Sequence, residues 1–213
     1  MGFTTTIPVE VILAAGGVPV DLNNLFITSP DAYQRVHWAE ELGWPRTVCA
    51  WIKGIYTTRA AHPEIRMLLV VTQGDCSNTH ALLELWQAEG LAVIPFQFPY
   101  PRDRERLAEE IRRLSQVFGV SVAEAEAWRR RLQPLRRQLR DLDYLTWTTG
   151  QVSGAENFQY LIASSDFQGN PGNFAAQVAD FLEQARRRPP REAKVRLGLI
   201  GIPPIFSDLF SYL

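Results

Sequence analysis

The sequence predicts an α/β fold: a parallel, Rossmann-like sheet with a helical layer, followed by the start of a second α/β domain. Three observations predict it. Short apolar runs alternate with helix-period segments through the first ~100 residues, the pattern of parallel strands joined by crossover helices. The run Met67 to Val71 is apolar on both faces, as central parallel strands are. From Pro101 the chain turns to long, arginine-rich amphipathic helices. The expected organisation is one N-terminal α/β domain over residues 1–190, with its sheet core in 1–100 and its helical layer in 101–188. Residues 191–213 are expected to be the first strand and helix of an incomplete second domain.

Taken in order, Ile7 to Ala15 reads as a helix, with Pro8 suited to its first turn and Gly16-Gly17 as its stop. "VPVDL" follows as a short strand. "SPDAYQRVHWAEELGW" is a second helix, capped by Ser29 or Asp31, stopped by Gly43, with Pro45 just beyond. "RTVCAWIKGIYTT" begins extended at Thr47-Val48 and turns helical from Cys49 or Ala50. "MLLVVTQGDCSNTHALLELWQ" passes from a strand through polar turn residues, Thr72 to Asn78, into a helix. Leu82, Leu83, Leu85 and Trp86 form that helix's apolar face. "LAVIPFQFP" is a further apolar strand, ended by prolines.

In the helical layer, "PRDRERLAEEIRRLSQVFG" puts Leu107, Ile111, Leu114 and Phe118 on one face. "SVAEAEAWRRRLQPLRRQLRDLDYL" opens with a capping box from Ser121 to Glu124. Its apolar positions Ala125, Trp128, Leu132, Leu135, Leu139 and Leu142 step by three and four, and Pro134 predicts a kink. A second capping box, Ser153 to Glu156, starts "GAENFQYLIASS", and the helix "NFAAQVADFLEQARRR" follows. "RRRPPREAK" has the composition of a linker. Beyond it "VRLGLIGIPPI" reads as a fresh strand and "FSDLFSYL" as a fresh helix with Leu209, Phe210 and Leu213 on its apolar face. One strand and two helical turns cannot bury themselves as a domain. The expectation is therefore the front portion of a longer chain, or a truncated relative of one.

Composition narrows the function classes. The chain is 46% hydrophobic and 21% charged with net charge −1, so no global charge draws it to nucleic acid or a membrane surface. Arginines crowd the helical layer while lysine is confined to Lys53 and Lys194. A solvated helix face explains the arginines, because Asp103, Glu105, Glu109 and Glu110 interleave with them and no aromatic stacking platform accompanies them. No apolar run reaches the ~20 residues of a membrane span. No basic segment precedes an apolar one at the N-terminus, so the expected location is cytoplasmic. "MGFTTT" carries the Gly2 of a myristoylation pattern, without the polybasic patch that would support it.

Two cysteines, Cys49 and Cys76, make no disulfide framework. In a reducing cytosol they are buried and inert, free, or metal-bound. Cys76, in "GDCSNT", stands where a parallel strand hands over to a helix, the position at which α/β folds place ligands. Gly74 permits a tight turn there, and Asp75, Ser77 or Asn78 can cap the helix. Helix N-termini offer unpaired N–H groups and a positive dipole end, which favour the thiolate that binds metal. Cys49, in "TVCAWIKG", follows the same plan on the expectation that Thr47-Val48 is extended. Two strand-end cysteines of one parallel sheet point to the same edge, and so to a shared site.

The segments "IPVEVILAAGGVPVDL", "VCAWIKGIY", "VVTQGDCSNTHALLELW", "FGVSVAEAEAWRRRLQPLRRQL", "VSGAENF" and "VRLGLIGIPPIFSDLFSYL" occur in an order that resembles the iron–sulfur subunits of 2-hydroxyacyl-CoA dehydratases and benzoyl-CoA reductases. The resemblance covers nearly the whole chain. It implies a [4Fe–4S] cluster held by three cysteines of one subunit. Cys49 and Cys76 carry over as cofactor-binding metal ligands, and the third lies in a C-terminal part that these residues lack. It also implies three partners: a homologous subunit, an ATP-dependent activator that delivers a low-potential electron, and an acyl-CoA substrate. The reaction implied is radical dehydration, a lyase reaction, or reduction of the acyl-CoA. A third branch of the same family carries a double-cubane cluster and reduces small molecules.

Readings outside that family start from other residues. Cys49, Cys76, His62 and His80 make a candidate zinc set, although their spacing is not that of a finger or ribbon. A non-catalytic docking subunit is a further alternative. His37, His62 and His80 are otherwise ordinary surface or partly buried histidines. Lys53 is expected to be exposed, with a cluster or a CoA phosphate as its functional alternative. Trp51 and Trp86 serve as core aromatics or as walls excluding water from the site. Gly16-Gly17 lacks a phosphate-binding fingerprint, and no P-loop or Ser-His-Asp set is present, so any ATP is spent by a partner.

Overall fold

A computed structural model describes residues 1–193, 195–204 and 208–212. It divides the chain into two compact units, Met1–Trp128 and the residues from Arg129 on.

The first unit is built on an all-parallel sheet: β1 (Gly2–Phe3), β2 (Val20–Asp21), β3 (Met67–Gln73) and β4 (Ala92–Gln97), in the order β2-β1-β3-β4. The α/β, Rossmann-like architecture is as the sequence predicts. Gly2 sits opposite both Val20 and Leu68, and Met67 opposite Ala92. Leu68 to Val71 are fully buried, so β3 is covered on both faces. β4 lies at the edge, where Pro95 costs the sheet no hydrogen bond it needs. β1 was not expected, because two residues show no alternation. It is nonetheless central, with Phe3 fully buried.

The helices of this unit are α1 (Val9–Ala14), α2 (Leu22–Ile27), α3 (Ala32–Glu41), α4 (Ala50–Ala61), α5 (Ser77–Ala88) and α6 (Arg104–Val117). Helix α2 is a further departure from the sequence reading. Asp21 ends β2 and also caps α2, its carboxylate accepting from the Asn23 N–H at 2.9 Å. A second correction concerns Thr47-Val48, which is a turn and not extended chain. The Val48 N–H donates to the Pro45 carbonyl at 3.0 Å, closing a four-residue turn. Trp44 in this loop packs on Tyr56 of α4, ring centroids 5.4 Å apart. Leu22, Ile52, Ile55, Ile65, Leu68, Val70, Leu82 and Trp86 form one core cluster, so α4 and α5 are seated on the same apolar floor as β3. Helix α6 reaches β4 through Arg113, whose guanidinium donates to the Pro95 carbonyl at 2.6 Å.

Helix α7 (Val122–Thr148) starts in the first unit and runs on through Pro134 into the second. Both foreseen capping boxes form. Glu124 accepts from the Ser121 N–H at 2.7 Å, and Glu156 from the Ser153 N–H at 2.9 Å. The second unit adds α8 (Gly154–Ala163), α9 (Pro171–Arg186) and α10 (Leu209–Tyr212). Its core holds Leu132, Leu139, Leu142, Phe174, Val178 and Leu182. The strand expected at Val195–Ile205 does not form over its described residues, Val195–Pro204. A strand needs a neighbour to pair its backbone groups, and Gly201, at φ +135°, breaks the extended run. Ile205, Phe206, Ser207 and Leu213 of the expected strand and helix lie outside the described residues.

Candidate functional site

Strand β3 delivers Cys76. It ends at Gln73, and Gly74 turns the chain at φ +95°. Only glycine fits there: a Cβ would meet the Phe98 Cβ at 2.8 Å besides adopting a disfavoured φ. Asp75 accepts from the Cys76 N–H at 2.7 Å. Cys76 is itself the N-cap of α5, a place the sequence reading gave to Asp75, Ser77 or Asn78. Its sulfur makes no capping bond and lies 3.6 Å from Thr79 Oγ1, on a side chain 1% exposed. The His80 ring meets the Thr72 carbonyl.

Cys49 is the N-cap of α4, again without a side-chain capping bond. It follows the Pro45–Val48 turn, so the expectation that both cysteines stand at strand ends holds for Cys76 alone. Both are exposed and free. Hydrogen bonds nonetheless bring them to one edge. Trp51, in the first turn of α4, donates its indole N–H to Asn23. The Asn23 amide donates to the Thr4 carbonyl at 2.9 Å and to Asp21 at 2.7 Å. Thr4 follows β1, and its hydroxyl accepts from the Val71 N–H at 3.3 Å. The start of α4 is thus fastened to the carboxyl ends of β2 and β1, and β1 to β3, whose carboxyl end leads to Cys76. Ligands of parallel α/β sheets bind at this edge.

Lys53 corrects the sequence reading most sharply. It is 2% exposed, and its ammonium donates to Glu40 at 2.6 Å and to the Arg46 carbonyl at 3.3 Å. Buried against α3, it meets no CoA phosphate. The hydrogen bond from Lys53, against some desolvation, holds the Glu40 carboxyl below its ordinary range, with Lys53, Arg46 and His37 adding charge. The zinc set also fails on geometry. Cys49 and His62 flank the 12-residue α4, about 20 Å apart at 1.5 Å per residue. His62 pairs with Glu64 at 2.8 Å instead. Among the described residues no group of three or more His, Cys, Asp or Glu side chains is placed to hold a metal ion.

Trp86 is fully buried core and does not wall the site, whereas Trp51 contacts Phe26 edge-on at 5.6 Å and helps anchor α4. Gly16 and Gly17 are a helix stop, with Gly16 at φ +74° and the Gly17 N–H bonded to Ile12. Arginines of the helices pair with acids: Arg113 with Glu110 at 2.8 Å, Arg186 with Asp141 at 3.0 Å and Arg188 with Glu156 at 2.9 Å. Asn23, Thr4, Thr79 and Glu40 were missed by the sequence reading. The signal for Asn23 was the "VDLNN" cap, read there as the end of a strand.

Residues 4–213 match the 2-hydroxyglutaryl-CoA dehydratase D-component family. The chain belongs to this family. It is therefore a component of the 2-hydroxyacyl-CoA dehydratase type, and the family's enzymes act as assemblies of subunits. No curated relative matches the chain. No helix among the described residues is long and apolar enough to cross a membrane. Family members are associated with iron–sulfur clusters, and the donor chemistry of this edge fits such a group. Two free, exposed thiols stand at helix N-caps, neither making a capping bond, and soft thiolates are the donors iron–sulfur clusters take.

Proposed function

We propose that Cys49 and Cys76 are two ligands of a [4Fe–4S] cluster in a subunit that receives a low-potential electron from an ATP-dependent activator and serves the radical dehydration of a 2-hydroxyacyl-CoA in the cytoplasm. The observation that carries the proposal is the pair of free, exposed cysteines, each at the N-cap position of a helix that starts at the carboxyl edge of the sheet. Such a cluster, held in part by Cys49 and Cys76, would pass on the activator's electron and would supply Lewis acidity toward the substrate's oxygen.

The chain's own residues hold and orient. Cys49 and Cys76 stand at the N-termini of α4 and α5, where the first backbone N–H groups have no intrahelical partner. The buried Thr79 hydroxyl, at 3.6 Å, fixes the rotamer of Cys76 and tunes its sulfur by a hydrogen bond. Asn23 and Thr4 hold the two cysteine-bearing segments to one edge. On the same reading the run from Val195 to Ile202 belongs to the opening of a second α/β domain and forms its strand when a neighbouring strand pairs with it.

The test is anaerobic reconstitution of the assembled subunits with iron and sulfide, read by visible absorption and iron content. Cys49→Ala and Cys76→Ala should each remove most of the absorption. Their stability should change by about 0.5 kcal/mol or less, since neither exposed sulfur caps its helix. Wild-type absorption in both variants overturns the proposal.

A further inference from the structure

We infer that Lys53 is a positioning residue that locks the Cys49 loop against α3, so that the spacing of the two cysteines is set by the protein before any cluster arrives. The inference rests on reading Cys49 and Cys76 as ligands. The two cysteines reach the edge by unequal routes. Cys76 follows β3 after the short turn at Gly74 and Asp75, and the sheet itself places it. Cys49 follows the irregular stretch Leu42–Val48, which no strand holds.

Lys53 grips that stretch at both sides. Its ammonium reaches Glu40, near the end of α3, at 2.6 Å, and the Arg46 carbonyl, inside the loop, at 3.3 Å. Its backbone N–H donates to the Cys49 carbonyl at 3.2 Å. The Arg46 guanidinium lies 3.7 Å from the same Glu40 carboxylate, tying the loop a second time. An apolar side chain would fill this space at lower desolvation cost. What an ion pair adds is direction: it is satisfied in one arrangement of α3, loop and α4, and penalises the others.

The chain's two cysteines allow a direct measurement without engineering new ones. Nitroxide labels on Cys49 and Cys76 report the distribution of distances between them by dipolar EPR. Lys53→Met should keep the far-UV circular dichroism of the wild type and widen that distribution at least twofold. Arg188→Met, which breaks the Arg188–Glu156 pair in the second unit, should leave it unchanged. Should Lys53→Met fail to fold, Glu40→Gln is the milder variant. It keeps an acceptor for Lys53, loses the charge, and should widen the distribution by a smaller factor. A folded variant with the wild-type width, or equal widening in Arg188→Met, overturns the inference. No iron enters the measurement, so its failure is distinct from failure of the cluster reading.

Discussion

Gly54 shows how closely the cysteine-bearing helix is seated. A Cβ built on it would lie 2.1 Å and 2.2 Å from ring carbons of Phe26, and that ring is buried beneath α4. Gly54→Ala should therefore destabilise the first unit by about 1–3 kcal/mol through overpacking, read from urea unfolding. Phe26→Leu in the same chain should recover part of the loss, because a smaller side chain opens the space the methyl needs. Neither the close seating of Gly54 nor the burial of Lys53 is visible in the sequence, for a physical reason. The partner of Gly54 is a ring in another helix, and the acid that buries Lys53 lies 13 positions away with no periodic relation to it. The strand-to-helix position of Cys76 was legible because its signal is local: an apolar strand, a glycine turn and a helix start lie within one short stretch. The helix start at Cys49 was legible too. The turn before it was not, since Thr47-Val48 was read as extended chain and not as the end of a turn begun at Pro45.

The elements that the sequence shows best are those whose determinants are adjacent in the chain. The Ser153–Glu156 box at the start of α8 is one, and it titrates. Burial raises the Glu156 pKa, but the Ser153 N–H and hydroxyl and the Arg188 guanidinium outweigh burial and leave it below the ordinary value. A depressed folded pKa means the contribution is complete above the ordinary glutamate value of about 4.3 and is lost as pH falls through the folded one. The second unit should accordingly lose stability on acidification below that value, and Glu156→Gln should flatten this part of the pH profile. Ser153→Ala should cost about 0.5–2 kcal/mol and move the Glu156 titration upward, measured on the carboxyl carbon by NMR. The elements the sequence hides are those made by pairing. Two residues at Gly2–Phe3 become a central strand because β2 and β3 flank them. The more apolar run from Val195 remains irregular, with Ile200 97% exposed. Apolar content proposes a strand; a paired neighbour makes one.

At the scale of the whole molecule the ligand count decides what must assemble. The family resemblance implies a [4Fe–4S] cluster held by three cysteine thiolates, and these 213 residues contain two cysteines. Among the described residues no other His, Cys, Asp or Glu group of three or more stands ready to complete the shell. On the cluster reading proposed above, the third ligand would come from a segment outside these residues, and the family's enzymes are assemblies of subunits. On that reading cluster and assembly would be thermodynamically linked: each would stabilise the other, and occupancy would follow the concentration of the partner. The 24.2 kDa chain, reconstituted alone and diluted, should run on a sizing column as a colourless species with little bound iron. Raising its concentration, or adding a homologous subunit, should shift iron and visible absorption together into a heavier peak. Removing iron with a chelator should return the chain to the lighter one. A fully coloured peak at the mass of the single chain would show that Cys49 and Cys76 need no donor from elsewhere, and the linkage argument would fall.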